Sequence, residues 1–203
     1  MAINKRLLVK PPSTGITPSE HFGVMLYEGD GSSSNSINGG KIGGAASFNG
    51  SSSTIVIPNA IEQPLKGAKE FGVSMWFNLA SLPTGSDEDF LISLYQEGYL
   101  DIRIKANGVI QGKVAENSSG TDRIVTSANS VIAANTWYHV VWTGKTNDLK
   151  LYINGSQYTW DASTTYPTQN LEGDINNNQA HYVGGGHHGQ GNLDCYLADT
   201  ILV

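Results

Sequence analysis

Two pairs of acidic residues in this chain have the spacing that a glycoside hydrolase would need. Glu28 and Asp30 form one pair, and Asp87 and Asp89 form the other. Alternate residues of a β-strand point to the same face, so each pair could present two carboxyl groups to one cleft. Both pairs, however, stand beside Gly/Ser-rich segments and not among aromatic strand residues. The pattern therefore favours a protein without catalytic residues, and a polysaccharide-active glycoside hydrolase stays open as the alternative.

The cysteine and the histidines of the chain are candidates for a nucleophile and for zinc ligands. The chain has a single cysteine, Cys195, inside a predicted strand, and this setting is typical of a core residue. His187 and His188 are adjacent, so their side chains point to opposite faces of an extended chain and do not readily share an ion. His139 lies inside a predicted strand, where we expect it to be packed and hydrogen-bonded. These residues indicate neither a thiol nucleophile nor zinc.

The segment from residue 158 to residue 166 combines aromatic rings with hydrogen-bonding side chains. Sugar-binding sites stack an aromatic ring on the pyranose face and surround it with a few polar groups. The histidine pair at 187–188 could contribute to the same end of the molecule. The candidate carbohydrate-binding residues are Tyr158, Trp160, Asp161, Tyr166, His187 and His188. The alternative is that the tryptophan only covers the open end of the core.

Composition and charge exclude several classes of partner. The chain has 203 residues, with 12 Lys and Arg against 18 Asp and Glu, so its net charge is −6. A protein that grips phosphates needs a basic face, so neither nucleic acid nor an anionic membrane surface is expected as a partner. The sequence has no apolar window long enough to cross a membrane. The single cysteine and the lack of a signal-peptide segment predict folding in a reducing cytoplasm.

Short segments with a two-residue period predict the elements that must position these residues. The clearest is 135–156, where strands at 137–143 and 149–153 predict a hairpin and Asn154-Gly155 predicts a further turn. In the strand at 71–79, Phe71, Val73, Met75 and Phe77 share one face.

Other segments of the chain carry turn and loop signals. Asn49-Gly50 predicts a hairpin between 45–48 and 54–57, and 28–40 reads as a loop. About twelve strands at intervals of roughly 8–12 residues predict one all-β domain, an antiparallel two-sheet sandwich.

Four segments, taken in order, carry a family resemblance. They are GGAASFNGSSS with IVIP at 43–58, FGVSMWF at 71–77, WYHVV with LKLYING at 137–155, and LADTILV at 197–203. They resemble laminin-G-like, concanavalin A-like jelly-roll domains. The resemblance covers residues 22–203 and implies a jelly roll whose last strand lies beside its first. It also implies calcium as the one cofactor to consider, bound at the rim by oxygen ligands from Asp30 and Asp199, with Asp194 or a backbone carbonyl completing the set. Solvated loop acids are the alternative.

Residues 1–21 differ from the rest of the chain. Basic residues cluster there, and the prolines at 11, 12 and 18 disfavour a helix or a central strand. We therefore expect an extended N-terminal attachment arm, in which residues 7–9 could add a strand to a partner. A disordered tail is the alternative. The candidate arm residues are Lys5, Arg6, Leu7, Leu8, Val9 and Lys10.

The opening FGVMLYEGDGSSSNSI, residues 22–37, resembles the openings of bacteriophage tail and capsid-associated proteins. The resemblance implies a virion surface protein, a capsid decoration or fibre module assembled in the host cytoplasm. We expect the arm to contact other virion structural proteins and the jelly roll, 22–203, to face outward and adhere to host-cell glycans. A homo-oligomer is left open. The alternatives are a polysaccharide-active glycoside hydrolase, a free carbohydrate-binding module, or a passive structural subunit.

Overall fold

The computed structural model describes residues 24–27, 36–38, 44–57, 70–84, 88–94, 100–115, 122–128, 130–145, 148–159, 181–185 and 191–202. Within these ranges the chain forms fourteen β-strands and one short 3-10 turn, Ala106–Gly108. The same ranges contain no helix that is long and apolar enough to cross a membrane. The strands are β1 Val24–Tyr27, β2 Ser36–Asn38, β3 Gly44–Asn49, β4 Ile55–Ile57, β5 Glu70–Leu79, β6 Glu88–Leu94, β7 Leu100–Lys105, β8 Val109–Ala115, β9 Asp122–Thr126, β10 Trp137–Lys145, β11 Asp148–Ile153, β12 Ser156–Thr159, β13 His181–Val183 and β14 Asp194–Leu202.

The strands form two antiparallel sheets. Sheet 1 has the order β12-β11-β10-β5-β14-β3-β2, and β1 also pairs with β14. Sheet 2 has the order β4-β13-β6-β7-β8-β9. The last strand lies beside the first, with Val24 opposite Leu202. The predicted all-β, two-sheet jelly-roll sandwich is therefore confirmed. The predicted arm, residues 1–21, lies outside the described residues.

One continuous hydrophobic core lies between the sheets. In β5 every second residue from Phe71 to Leu79 is buried, as the two-residue period predicted. Val140 and Trp142 of β10 face the same interior. Sheet 2 contributes mainly isoleucine and leucine side chains to the cluster, among them Ile92, Ile102, Ile104, Ile110 and Leu91. The β-branched and aromatic content of the strands thus supplies both the strand propensity and the core.

The central hairpin has the predicted form. β10 pairs with β11 from Val140↔Ile153 to Lys145↔Asp148. The next turn holds Asn154 at φ 49° and Gly155 at φ 82°, and Ile153 faces Ser156 directly across it. Two central residues with positive φ are typical of a type I′ hairpin turn, which is why Asn-Gly occurs there.

The predicted hairpin around Asn49-Gly50 is wrong. β3 pairs with β14 and β2 in sheet 1, whereas β4 pairs with β13 in sheet 2. The side-chain oxygen of Asn49 accepts hydrogen bonds from the backbone N–H groups of Ser51, Ser52 and Ser53, at 3.0, 2.9 and 3.0 Å. These bonds build a wide turn that carries the chain from one sheet to the other. An Asx-type turn and a hairpin turn share the same Asn-Gly signal.

The predicted loop at 28–40 contains a strand. β2 pairs with β3 through Ser36↔Ala46, Ile37↔Ala45 and Asn38↔Gly44. The segment is rich in Ser and Asn, so its sequence shows little β-propensity. Backbone hydrogen bonds to β3 are enough to hold a three-residue edge strand, and a side-chain pattern does not reveal them.

Gly112 in β8 leaves space for an aromatic side chain of the opposite sheet. A Cβ atom at position 112 would lie 2.5 Å from Cδ2 of Trp142, which is fully buried. We expect Gly112→Ala to lower the free energy of unfolding by about 1–3 kcal/mol because it overpacks the core. Urea unfolding measures the loss. In a Trp142→Phe background the same substitution should cost less, and an equal cost in both backgrounds would show that contact with the indole is not the cause.

Candidate functional site

The outward side of sheet 1 carries a group of aromatic and amide side chains, here called the Trp76 face: Trp76, Asn78, Trp137, His139 and Tyr196. Backbone pairing sets their positions. One row across the sheet is Trp137↔Asn78↔Tyr196, and the next row is His139↔Trp76↔Ala198. All five side chains are half-buried. They alternate with core residues along β5, β10 and β14, so the same two-residue period that builds the core also builds this face.

His139 is held by contacts on three sides. Its ring lies 4.9 Å from the ring of Trp76, with 33° between the planes. Its Nε2 atom lies 2.9 Å from the hydroxyl oxygen of Ser74. Its backbone N–H donates to the side-chain oxygen of Asn154, and its carbonyl accepts from the N–H of Asn154, both at 2.9 Å. The expectation of a packed, hydrogen-bonded histidine is confirmed.

A β-bulge in β14 lies beside this histidine. The register to β5 shifts between Ala198 and Ile201, and Asp199 adopts φ 48° in the bulge. A non-glycine residue in the left-handed region is uncommon and is often held at functional positions. Burial lowers the pKa of His139, and the carboxylate of Asp199 raises it in part. The net direction is downward, so the imidazole is neutral at pH 7.

Ser74, His139 and Asp199 have the residue types of a hydrolytic triad, yet the fold does not favour that chemistry. Ser74 lies in the middle of β5, opposite Val141 on one side and Ile201 on the other. Its strand is therefore paired on both edges, and the neighbouring backbone N–H groups belong to the sheet. An oxyanion hole needs such N–H groups to be unpaired and to converge on one point.

The outward side of sheet 2 carries a compact set of ion pairs, here called the Arg103 cluster: Glu88, Asp101, Arg103 and Lys105. Arg103 bonds to Glu88 through one terminal nitrogen, and its Nε lies 3.1 Å from Asp101 Oδ1. Lys105 Nζ lies 2.7 Å from the other oxygen of Glu88. The Asp101 side chain is only 1% exposed. Buried carboxylates require partners of this kind.

The Arg103 cluster keeps the carboxylate of Glu88 ionised. Partial burial raises the pKa of Glu88, but hydrogen bonds from Lys105 and Arg103 outweigh that effect and lower it overall. A general acid of a glycoside hydrolase needs a raised pKa. Glu88 is therefore unsuited to donate a proton at neutral pH, and the cluster acts as a structural tie between β6 and β7.

Of the six residues predicted to bind carbohydrate, only Tyr158 lies in the described part of the chain. It belongs to β12, faces Leu151, and packs half-buried against the core. Its ring thus contributes to the core. Trp160, Asp161, Tyr166, His187 and His188 lie outside the described residues, and their role in binding stays a prediction.

The structure does not bring the two described calcium candidates together. Asp194 is exposed and pairs across the strands with Asn49, whereas Asp199 lies five residues further along the same strand. That separation is about 17 Å for an extended chain, and ligands of one ion must lie much closer. Within the described ranges no group of three His, Cys, Asp or Glu side chains could hold a metal ion. Asp30 lies outside those ranges, so calcium stays a prediction.

The remaining predicted residues have different outcomes. Cys195 is buried, and burial raises the pKa of its thiol well above the usual value, so it is the inert core residue that was expected. Asp89 is half-buried in β6. Its predicted partner Asp87, and the pair Glu28 and Asp30, lie outside the described residues.

Two features of the site were missed by sequence reasoning. Ser74 and His139 are 65 positions apart in the chain, and only the pairing of β5 with β10 joins them. Asp199 was considered as a calcium ligand and not as a neighbour of a histidine. The sequence did carry one signal for this face: the two-residue period of β5 places Trp76 on the side opposite the core residues.

A family profile described as the concanavalin A-like lectin/glucanases superfamily matches residues 49–200. This chain belongs to that superfamily. The predicted laminin-G-like and concanavalin A-like resemblance is thereby confirmed. No curated protein sequence matches the chain.

Solved structures share the fold at low sequence identity. The binding domain of botulinum neurotoxin serotype D has a TM-score of 0.58 at 16% identity, over 84% of this chain and 41% of that chain. A Trypanosoma rangeli sialidase has a TM-score of 0.57 at 15% identity, over 97% of this chain and 33% of that chain. This chain therefore spans less than half the length of either protein.

A third structure resembles this chain over most of both lengths. Domain 4 of a GH43 extracellular arabinanase from Geobacillus stearothermophilus, in complex with arabinotriose, has a TM-score of 0.52 at 18% identity. The match covers 89% of this chain and 81% of that chain. At such identities the likeness to all three structures shows the fold alone.

The pKa shifts of His139 and His181, which both lie in described strands, predict how stability depends on pH. Burial lowers the pKa of His181, as it does that of His139, below the usual 6.5. Near and below that pH the histidines of the unfolded chain bind protons that the folded histidines do not. The free energy of unfolding therefore decreases as the pH is lowered. Thermal unfolding at pH 7.5, 6.5 and 5.5 should show a decreasing Tm. The carboxylate of Glu88 stays ionised in this window because its pKa is below 4.5. The control is His181→Gln, whose Tm should change less; an equal change would contradict this cause.

Proposed function

We propose that this chain is a non-enzymatic carbohydrate-binding module with a lectin-like jelly roll. The observation that carries the proposal is the family match over residues 49–200, on a sandwich whose two sheets are both described. The arabinanase domain that is similar over most of its length was solved with arabinotriose, and this supports a sugar as the ligand class. One fold hosts many functions, so the ligand must be established by binding.

Binding is favoured over hydrolysis by the state of the acidic side chains. The carboxylates of Glu88 and Asp101 are engaged by Arg103 and Lys105. A hydrolase needs one carboxyl group with a raised pKa and a second that stays ionised, flanking one cleft. The pKa of Glu88 shifts in the opposite direction. Glu88 is therefore not a suitable general acid, which supports the proposal that the chain does not cleave sugars.

A glycan array probed with the full chain should show binding to a defined set of cell-surface or polysaccharide glycans. For a confirmed ligand we expect a dissociation constant of about 1 mM or tighter, equivalent to ~4 kcal/mol. Binding should be repeated with calcium and with EDTA, since loss in EDTA would show that a bound calcium ion is required. Absence of binding in both conditions would contradict the proposal and favour a passive structural subunit.

A polysaccharide panel assayed for reducing-sugar release tests the alternative function. We expect no release above background over hours. Release that is abolished by Asp87→Asn or by Asp89→Asn would establish a glycoside hydrolase and place its site.

We further propose that the module is carried on a bacteriophage virion, as a capsid decoration or fibre module. The opening segment 22–37 resembles those of phage tail and capsid-associated proteins, and this likeness supports the setting. Residues 1–21 would attach the jelly roll to other virion structural proteins, with main-chain pairing at 7–9 and basic side chains at Lys5, Arg6 and Lys10. The jelly roll would then face outward toward host glycans.

Deletion of residues 1–18 should abolish incorporation into particles and leave the β-sheet circular dichroism spectrum unchanged. Incorporation is measured by immunoblot of gradient-purified particles. Leu8→Pro is the matched variant, because it blocks strand pairing without removing a charge, and it should reduce incorporation. Normal incorporation of the truncated chain would show that residues 1–18 are not the attachment arm.

A further inference from the structure

The row Trp137–Asn78–Tyr196 of the Trp76 face lies at the end of sheet 1. Trp137 is the first residue of β10, and Asn78 is the last but one of β5. The backbone N–H of Ala80 bonds to the carbonyl of Asp194, and that of Asn135 bonds to the carbonyl of Leu79, at 2.8 and 2.7 Å. These bonds mark the rim of the sheet. Ala80, Asn135 and Asp194 are all exposed, so among the described residues the row is open at this end of the sheet.

The polar atoms of this row are not used within the described part of the chain. The amide of Asn78, the indole N–H of Trp137 and the hydroxyl of Tyr196 make no hydrogen bond to other described residues. An Asn amide offers two donors and one acceptor, and an indole or phenol adds one group beside a flat apolar ring. Half-buried side chains with unused polar atoms are what a sugar site presents to its ligand.

The dimensions of the row suit a single sugar ring. Neighbouring strands lie about 5 Å apart, so the two aromatic residues flank Asn78 across roughly 10 Å. Ala198, in the next row beside Trp76, is small and fully buried. A pyranose can lie over the amide with its C–H face against one ring and its hydroxyls toward Asn78. Trp76 lies in the neighbouring row of the same face, where its ring is held against that of His139.

The charged side chains around the row favour an uncharged sugar over an anionic one. Asp194 is exposed two residues before Tyr196, and Asp199 lies close enough to His139 to act on its pKa. Among the described outward residues of β5, β10 and β14, the nearest cation is Lys145 at the far end of β10, eight positions from Trp137. Carboxylates accept hydrogen bonds from sugar hydroxyls and repel an anionic sugar at short range.

We propose that Trp137, Asn78 and Tyr196, supported by Trp76 and His139, form a binding site for an uncharged sugar unit of a glycan. This inference rests on the proposed carbohydrate-binding function and names its site and ligand class. The site differs from the one that the sequence predicted, at residues 158–166 and 187–188.

The test is a titration of the full chain with the neutral glycan that binds best on the array, followed by calorimetry and by tryptophan fluorescence. Asn78→Ala and Trp137→Ala should each weaken binding by about tenfold or more. Tyr182→Ala is the matched control, since Tyr182 is a half-buried aromatic residue on sheet 2, opposite Val56 and Ser93. It should bind as the wild type does. If Trp137→Ala does not fold, as judged by its thermal transition, Asn78→Ala and Tyr196→Phe carry the test.

Glycan pairs that differ only by a terminal sialic acid test the ligand class, and the neutral member should bind at least about tenfold more tightly. Preference for the sialylated member would overturn the class. Wild-type affinity in Asn78→Ala and Trp137→Ala, with loss in Trp160→Ala, would overturn the site and leave the proposed function intact. Absence of any glycan binding by the wild-type chain would overturn the proposed function and this inference with it.

Discussion

Backbone pairing of β5 on both of its edges is the constraint on which the described structure depends. Nine residue pairs join it to β10, from Trp137↔Asn78 to Lys145↔Glu70, and β14 pairs along its other edge. A strand fixed on both sides cannot slip by one residue without moving its whole apolar set to the surface. Phe71, Val73, Met75, Phe77 and Leu79 are therefore committed to the core, and the intervening residues are committed to the outward face.

The two outward faces of the sandwich have different chemistry because their polar groups are satisfied differently. On sheet 2, Arg103 and Lys105 engage the carboxylates of Glu88 and Asp101, and the arginine also lies 5.9 Å from the centre of the Phe90 ring. Those charges are mutually compensated. On sheet 1 the row across β10, β5 and β14 has amide, indole and phenol groups that the described chain leaves unused. A closed ion-pair set stabilises the fold, whereas open hydrogen-bonding groups beside aromatic rings are suited to a ligand.

The bulge in β14 connects the fold to the site. β14 pairs with β3 in its first half and with β1 in its second half, so the strand must change neighbours near Ala198. The register shift there places Asp199 at positive φ beside His139. The strand order thus places the carboxylate of Asp199 near the half-buried imidazole of His139. The same shift lets one strand serve two neighbours on a single edge.

Prediction from sequence succeeded where a pattern is local and failed where two segments far apart must meet. The hairpin at β10–β11 and the Asn154-Gly155 turn were predicted because alternation and Asn-Gly turn chemistry are both short-range signals. Asn49-Gly50 carried the same signal and was misread, since three serine N–H groups bonded to Asn49 convert it into a crossing between sheets. β2 was missed because an edge strand held by backbone bonds needs no apolar pattern.

The sequence by itself determined that the chain is all-β, which residues of β5 share one face, and that Cys195 is a core residue. These properties follow from a two-residue period and from side-chain hydrophobicity, which are written along the chain. Only the tertiary structure decided that Ser74 meets His139 and that Asn78 lies between Trp137 and Tyr196. Those contacts depend on the order and register of strands that are far apart in the sequence; Asn78 and Tyr196 are separated by 118 positions. Strand order is a property of the whole sheet, so no single segment encodes it.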